Sequence, residues 1–334
     1  MSLRSGVVLQ GAYPPEEFRS MVERIDALGF SNLWLTDSSL HARNSYAYLT
    51  LAAMTSSRLV LGTAVTNPLT RHPAITAVAT ATVDEISQGR MIMGIGAGDR
   101  PLLALGMRPA GLTTIRATIG AIRELWSGAD VTVEDPAFRL RDAHVRFDAR
   151  PDIPVYVSAS GPKTLELAGE IADGVILLVG LFPEGLAWAL EHVDRGAAKA
   201  GRARPHIAVF AYGSIDDDAE AALRSARSIA AWFPQTAPTV CELAGLPTSL
   251  IDQVRERYAG GEFQEAAEAA QLLPEGFVRR VALAGDAAQA RERIEVVAAA
   301  GADSIHVFPL GERRMQTIEA FSRCFGDVSD GAAA

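Results

Sequence analysis

Short, apolar, β-branched runs alternate with longer amphipathic stretches along almost the whole chain, and this alternation constrains the fold most. Eight runs are predicted strands, at residues 5–10, 32–37, 58–65, 91–98, 154–160, 173–179, 206–213 and 303–309. The segment PEEFRSMVERIDALGF has apolar residues at helical spacing, and its Gly29 lies where the helix is expected to end. Apolar strands that are each followed by a helix indicate parallel strands covered on their outer face. Eight such units predict a (β/α)8 TIM barrel, with a doubly wound open sheet as the alternative.

Two segments do not fit the bare repeat. Residues 131–147 have the pattern of a β-hairpin after the fourth helix, and residues 215–280 have that of a helical insertion after strand seven. We therefore predict a single barrel domain over residues 1–330, with insertions at about 129–150 and 215–280. Insertions at the strand ends of a barrel usually shape the substrate site.

Composition narrows the class of partner. The 334 residues carry a formal net charge of -9, which argues against nucleic acid or an anionic membrane. No run approaches the roughly 18 apolar residues of a membrane span, and two cysteines are too few for a disulfide framework. The histidines show no metal-ligand spacing. We expect a cytoplasmic protein that holds no metal and acts on a small molecule.

Polar residues follow consecutive predicted strands, and in a TIM barrel these positions meet at one rim. After strand two, TDSSLHARN supplies Asp37 and His41. After strand three, TNPLTRHP carries an amide, hydroxyls, a guanidinium and an imidazole, more polar groups than a turn needs. After strand four, GIGAGD ends in Asp99. The sequence therefore predicts a functional site at the carboxyl ends of the strands.

The glycines of GIGAGD allow two interpretations. Gly94, Gly96 and Gly98 have the spacing G-x-G-x-G, which is not the dinucleotide-binding fingerprint. Residues without side chains let a flat ring lie close to the backbone. A tight turn is the alternative.

The segment SASGPKT after strand five has the features of an anion site at a helix start. Ser158 or Ser160 could cap the helix, and Pro162 suits its first turn. The backbone N–H groups that follow Gly161 would then form a phosphate cradle. An ordinary capped helix explains the pattern equally well.

Three segments together resemble the bacterial luciferase-like superfamily. They are GTAVTNPLTRHPAITAVATATVDEISQGRMIMGIGAGD, SASGPKTLELAGEIADGV and DSIHVFPLG. Within that superfamily they are most similar to the branch of coenzyme F420-dependent methylenetetrahydromethanopterin reductases. The resemblance implies a TIM barrel that holds a flavin-like ring at the strand carboxyl ends, with coenzyme F420 as cofactor and FMN as the alternative. It also implies a non-proline cis peptide in a bulge of strand three, here at Ala64–Val65.

The resemblance also assigns cofactor contacts residue by residue. Thr66 and Asn67 would hydrogen-bond the polar edge of the ring. The full set of implied cofactor-binding residues is Thr36, Ala64, Val65, Thr66, Asn67, Gly96, Ala97 and Gly98 around the ring, with Ser158, Ala159, Ser160, Gly161, Pro162, Lys163 and Thr164 on the phosphate side.

The catalytic residues are the less determined part of the site. Asp99 is the first candidate for the proton donor or acceptor, with an ion pair to Arg100 or Arg71 as the structural alternative. His41 is the second candidate, and Asp37 would contact the ring or the substrate. The reductase relatives commonly have a histidine directly after that aspartate, where this chain has Ser38.

Three functions follow from these residues. The first is hydride transfer between F420 and an unidentified organic substrate, and the second is an FMN-dependent monooxygenase. The third is a cofactor-binding barrel without catalysis. The resemblance also implies a homodimer, and the small residues of the predicted helix at 74–87 would permit close approach of a second helix.

Overall fold

The computed structural model describes residues 3–98, 100–258 and 263–325. Eight parallel strands close into a barrel because the last strand pairs with the first. This confirms the predicted TIM barrel and excludes the open sheet. In barrel order the strands are β1 (Arg4–Leu9), β2 (Asn32–Leu35), β3 (Val60–Thr63), β4 (Met91–Ile95), β7 (Val155–Ala159), β8 (Gly174–Leu177), β9 (His206–Ile215) and β11 (Ser304–Pro309).

Amphipathic helices cover the barrel. In the first helix the apolar residues Phe18, Met21, Val22 and Ile25 are all buried against the strands, as their spacing predicts. Within the described ranges, no helix is both long and apolar enough to cross a membrane. The covering helices are α1 (Pro15–Ala27), α2 (Ser45–Thr55), α3 (Pro73–Ile86), α4 (Arg100–Ala104), α5 (Leu112–Trp126), α6 (Pro162–Ile171), α7 (Pro183–Lys199), α14 (Ala287–Ala299) and α15 (Arg314–Arg323).

The predicted hairpin is present after α5. It consists of the antiparallel strands β5 (Val131–Asp135) and β6 (Phe138–Ala143). His72 joins it to the barrel, because one imidazole nitrogen accepts from the Ala74 N–H at 3.2 Å while the other lies 3.0 Å from the Arg139 carbonyl. His72 therefore fixes the hairpin against the start of α3.

The predicted helical insertion follows β9. It contains α8 (Ala219–Ala230), α9 (Trp232–Thr236), α10 (Pro238–Leu243), α11 (Thr248–Arg257), α12 (Phe263–Ala270) and α13 (Glu275–Val281). A three-residue strand that the sequence pattern did not indicate, β10 (Leu283–Gly285), then pairs with the end of β9. Three residues are too short to show alternation, so this strand depends on its partner rather than on its own pattern.

Aromatic rings fill the inside of the barrel. The Trp34 ring packs edge-on against Phe210 at 5.2 Å and His306 at 5.5 Å, and lies 5.8 Å from the Tyr156 ring. We call these four residues the barrel plug. A Cβ atom at Gly62 of β3 would lie only 2.2 Å from the Trp34 ring, so the absence of a side chain there gives the indole its space.

We predict that Gly62→Ala destabilises the protein. The added methyl group would meet the rigid, buried Trp34 ring, and overpacking of this kind costs about 1–3 kcal/mol in the free energy of unfolding. Urea denaturation measures the effect. The matched control is Gly120→Ala on the exposed face of α5, where a Cβ meets open space and alanine should be neutral or stabilising by up to about 1 kcal/mol. Equal urea midpoints for Gly62→Ala and the wild type would contradict this account of the plug.

Candidate active site at the carboxyl ends of the strands

The loop after β3 is held to the end of β2 by a buried ion pair. Both terminal nitrogens of Arg71 donate to the Asp37 carboxylate, one of them to Oδ1 at 2.8 Å, and the Ser45 hydroxyl donates to the same oxygen at 2.9 Å. The Asp37 side chain is only 3% exposed. Hydrogen bonding to Asp37 raises the pKa of Arg71, so its charge is permanent. The bidentate geometry therefore fixes where the loop leaves the barrel.

Tyr46 lies beneath this ion pair. The Arg71 guanidinium carbon is 5.2 Å from the centre of the Tyr46 ring, and the phenol oxygen is 3.1 Å from the Thr80 hydroxyl. Burial raises the pKa of Tyr46 to about 12, so the phenol is neutral near pH 7. Tyr46 therefore supports the guanidinium through its ring and offers no base.

The chain bulges where β3 ends. The Ala64–Val65 peptide bond is cis, as the resemblance implies. Gly62 pairs with Ile92, and Thr66 pairs with Ile95, so β3 uses four residue steps where β4 uses three. The extra residue is a β-bulge, and it interrupts the pairing of Ala64 and Val65 with β4, while the Ala64 N–H still donates to the Leu35 carbonyl of β2 at 2.7 Å.

Thr66 returns the chain to the barrel after the bulge. Its N–H donates to the Gly94 carbonyl and its carbonyl accepts from the Gly96 N–H, both at 2.9 Å. Thr66 is completely buried. The bulge and the glycine turn after β4 are therefore joined by main-chain hydrogen bonds.

Asn67 uses half of its side chain to shape the loop. Its carboxamide oxygen accepts from the N–H groups of Leu69 and Thr70, both at 2.9 Å, which makes an Asx turn. In the described part of the chain, its amide nitrogen has no hydrogen-bond partner. The predicted contact of Asn67 with a ring edge would therefore use this nitrogen as a hydrogen-bond donor.

Buried hydroxyls without partners lie at the same rim. Within the residues that the structure describes, Thr36 Oγ1, Thr66 Oγ1 and Thr70 Oγ1 are buried and make no hydrogen bond. A buried polar atom without a partner costs free energy, and native proteins satisfy nearly all of them. A polar ligand at the rim would satisfy hydroxyls of this kind.

The glycine turn after β4 has the conformation of the tight-turn interpretation. Gly98 has φ +86°, and a Cβ there would lie 2.3 Å from Leu102, so this position serves a tight turn. At Gly96 a Cβ would be 3.0 Å from the Val65 side chain and 3.5 Å from Ser158 Cβ. The bare backbone of Gly96 therefore allows close approach between the bulge and the next strand end. Asp99 lies outside the described residues.

The start of α6 differs from the predicted cap. Gly161 is the N-cap residue and no side chain caps the helix, so neither Ser158 nor Ser160 fills that role. Instead, the Ser160 hydroxyl donates to the Thr236 carbonyl of α9 at 3.3 Å. The first main-chain hydrogen bond of α6 is made by Leu165, and Pro162 has no N–H. The N–H groups of Lys163 and Thr164 thus lack intrahelical or side-chain acceptors, which favours the phosphate-cradle interpretation.

The loop after β2 leaves His41 at the surface. His41 is exposed, and its backbone N–H donates to the Ser38 carbonyl at 3.1 Å. Its imidazole makes no hydrogen bond to any described residue. Asp37 is therefore connected to the loop after β3 through Arg71, whereas the His41 side chain has no such connection.

A surface cavity of about 980 Å³ lies away from this rim. It lies between α1 and α15 and is lined by charged residues of their surfaces, such as Arg24 and Glu319, which form an ion pair. None of the predicted site residues lines it. Sequence reasoning left three rim residues without a role. Ser45 and Tyr46 contact the Asp37–Arg71 pair, and Thr70 carries a buried hydroxyl without a partner.

Residues 3–304 match the family described as luciferase-like monooxygenase. A 5,10-methylenetetrahydromethanopterin reductase from Archaeoglobus fulgidus is 32% identical over 319 residues, covering 92% of this chain and 94% of the relative. One from Methanolobus tindarius is 38% identical over 240 residues, covering 70% and 73%. The solved structure of the coenzyme F420-dependent tetrahydromethanopterin reductase from Methanopyrus kandleri matches with a TM-score of 0.84 and 29% identity, covering 97% and 98%.

We predict that Arg71→Ala lowers the free energy of unfolding by about 2–4 kcal/mol, because it leaves the buried Asp37 carboxylate without its main partner. Urea denaturation measures this loss. Asp37→Asn in the Arg71→Ala background should recover part of it, since no unpaired buried charge remains. The control is Arg204→Ala, which breaks a surface ion pair with Asp194 and should cost less than about 1 kcal/mol. Equal losses for the two single variants would contradict the anchoring role of Arg71.

Proposed function

The chain belongs to the luciferase-like monooxygenase family, and from this premise we propose that it is an oxidoreductase that moves a hydride between coenzyme F420 and a small organic substrate. The observation that carries the proposal is the agreement of almost the whole chain with an F420-dependent reductase in both sequence and fold. Bound F420 supplies hydride chemistry at C5 of its deazaflavin ring. The protein then has to orient the ring, exclude water and manage a proton.

The residues at the rim fit a flat polar ring. Ala64, Val65 and the bare backbone of Gly96 would form its support. The unpartnered Thr36 hydroxyl and the Asn67 amide nitrogen would meet its polar edge. These groups are uncommitted in the structure, so a ligand can use them without breaking an existing hydrogen bond.

The start of α6 fits the phosphate of such a cofactor. The N–H groups of Lys163 and Thr164 and the positive end of the helix dipole would hold the negative charge. Gly161 leaves this approach open, because a Cβ there would have no atom within 4 Å. Lys163 is exposed beside it and would add a positive charge.

Proton management is assigned by the sequence pattern. We propose Asp99 as the proton donor or acceptor and His41 as its alternative. Asp37 acts differently in this proposal, because both of its oxygens accept from Arg71. Asp37 therefore positions the loop that carries Thr66 and Asn67.

A homodimer fits the outer surface of the barrel. On α3, Ile75 is 58% exposed, and Val78 and Ile86 are also exposed apolar residues on its outer side. Met54 of the neighbouring α2 is exposed as well. Exposed apolar side chains gathered on two adjacent helices are typical of a subunit interface. We propose that two copies of this chain pair through α2 and α3.

The cofactor proposal is tested by titrating purified, cofactor-free protein with F420 and with FMN under identical conditions. We expect F420 to bind more tightly, with a change in its absorbance and fluorescence. Preference for FMN would instead favour a monooxygenase, and oxygen consumption would be measured next. Tight F420 binding without turnover across a broad substrate panel would favour a non-catalytic barrel.

Gly161→Asp tests the phosphate cradle directly. Aspartate caps helices well, so stability should be unchanged or raised by up to about 1 kcal/mol. The same carboxylate would occupy the N–H groups and repel a phosphate, so the affinity for F420 should fall about tenfold or more. Gly161→Ala is the matched control, which adds a Cβ in open space without charge and should bind nearly as well as the wild type. Unchanged affinity in Gly161→Asp would remove the cradle from the proposal.

Ile75→Arg tests the proposed dimer. A buried, unpaired arginine on each side of the interface should shift the protein to monomers, measured by light scattering after size-exclusion chromatography. Leu103→Arg changes another exposed apolar residue, outside α2 and α3, and should leave the mass unchanged. A dimer that survives Ile75→Arg, or a wild-type monomer, would contradict this interface.

A further inference from the structure

A second cavity lies at the opposite end of the barrel from the rim. Its volume is about 260 Å³, and it is lined by residues at or near the starts of the strands, including Arg4, Asn32, His206 and Ser304. Trp34, Tyr156 and His306 of the barrel plug form its inner wall. The cavity is roomy enough for several waters or a small ion. We call it the base cavity.

The charge of the base cavity is opposite to that of the whole chain. Its lining includes Arg4, Arg90, Arg150 and His206 and contains no aspartate or glutamate, although the chain carries a net charge of -9. Arg150 is neutralised by two hydrogen bonds to Asp84.

Two of the lining arginines have no such partner. In the described ranges, neither Arg4 nor Arg90 takes part in an ion pair. Arg90 instead donates to main-chain carbonyls, such as those of Ser87 at 2.7 Å and Leu59 at 2.5 Å. The base cavity therefore has positive charge that no carboxylate of its lining balances. Asp303 lies near His206 outside the lining, and its Oδ2 accepts from the Ile207 N–H at 2.7 Å.

Hydrogen-bond donors at the base cavity exceed the acceptors. Arg4 lies 2.8 Å from Nε2 of His206, and because a guanidinium can only donate, this nitrogen accepts. Burial lowers the pKa of His206, and the neutral ring then carries its proton on Nδ1. Nδ1 is buried and has no partner among the described residues. The Nδ1–H group of His206 is thus a donor without an acceptor, next to the Arg4 guanidinium.

A second donor chain ends at the same place. Trp34 Nε1 can only donate, so Nδ1 of His306 accepts at 3.2 Å, and Nε2 of His306 donates to the Ser304 hydroxyl at 2.9 Å. Burial lowers the pKa of His306 to about 3, which keeps this arrangement neutral near pH 7. The Ser304 hydroxyl proton is left for a further acceptor.

We propose that the base cavity binds a small oxyanion, of which inorganic phosphate is the simplest example. An oxyanion accepts several hydrogen bonds and carries the charge that Arg4 and Arg90 lack as a partner. This site is independent of the proposed cofactor site, from which the barrel plug separates it.

Calorimetric titration with inorganic phosphate tests the proposal, with chloride at equal ionic strength as the reference. The protein is first saturated with F420, so that the start of α6 is occupied. We expect one phosphate per chain, and a loss of affinity of about tenfold or more in Arg4→Gln, because a charge-assisted hydrogen bond is removed. Arg255→Gln, an exposed arginine of the helical insertion, is the matched control and should bind phosphate as the wild type does.

His206→Gln provides a second variant if Arg4→Gln fails to fold, and it should also weaken phosphate binding. The Gly161→Asp protein keeps the test separate from the cofactor proposal, because its α6 is capped and its base cavity is intact. Phosphate binding there, without any cofactor, should equal that of the saturated wild type. Absence of phosphate binding in both proteins, or binding that neither Arg4→Gln nor His206→Gln weakens, would overturn the proposal.

Discussion

Parallel pairing between β11 and β1 is the contact on which the rest of the molecule depends. Ser304 to Val307 align with Arg4 to Val7, which joins segments about 300 residues apart. Because all eight strands of the barrel run in one direction, closure collects every strand start at one end and every strand end at the other. Loops that are distant in sequence therefore become neighbours, and the barrel acquires two separate polar ends with an aromatic plug between them.

At the rim, much of the polar chemistry serves to hold the loop after β3 rather than to face a ligand. Arg71 donates to Asp37, and His72 contacts the start of α3 and the hairpin. The Asn67 carboxamide oxygen accepts within its own turn. Several groups remain uncommitted and can donate. They are the hydroxyls of Thr36, Thr66 and Thr70, the Asn67 amide nitrogen, and the main-chain N–H groups of Lys163 and Thr164 at the start of α6. Ring carbonyl groups and a phosphate accept hydrogen bonds. The committed residues therefore hold the loop, and the uncommitted donors are the groups that such a ligand would use.

Periodicity predicted the strands, the hairpin and the helical insertion because each of these elements shows its burial in its own residues. Partner choice within the site was harder to predict. Arg71 was considered for Asp99, but it pairs with Asp37, and only the packing of the β3 loop against β2 decides between the two carboxylates. The cap of α6 is a similar case: the pattern SASG allows Ser158 or Ser160 to cap the helix, but Gly161 is the N-cap residue and the Ser160 hydroxyl donates to the Thr236 carbonyl instead. The short strand β10 likewise forms because it pairs with β9, and its own three residues do not predict it.

The hydrogen bond from Ser160 to Thr236 bears on which part of the proposed enzyme would bind the cofactor and which would select the substrate. It connects the strand end next to the start of α6 with α9 of the insertion. The proposed ring contacts would come from strand ends whose positions the barrel ladder fixes. The insertion, in contrast, touches the rim from outside the ladder, so its helices can vary without moving the bulge or the glycine turn. In the proposed enzyme the barrel would therefore determine which cofactor is held, and the insertion would determine which substrate reaches it.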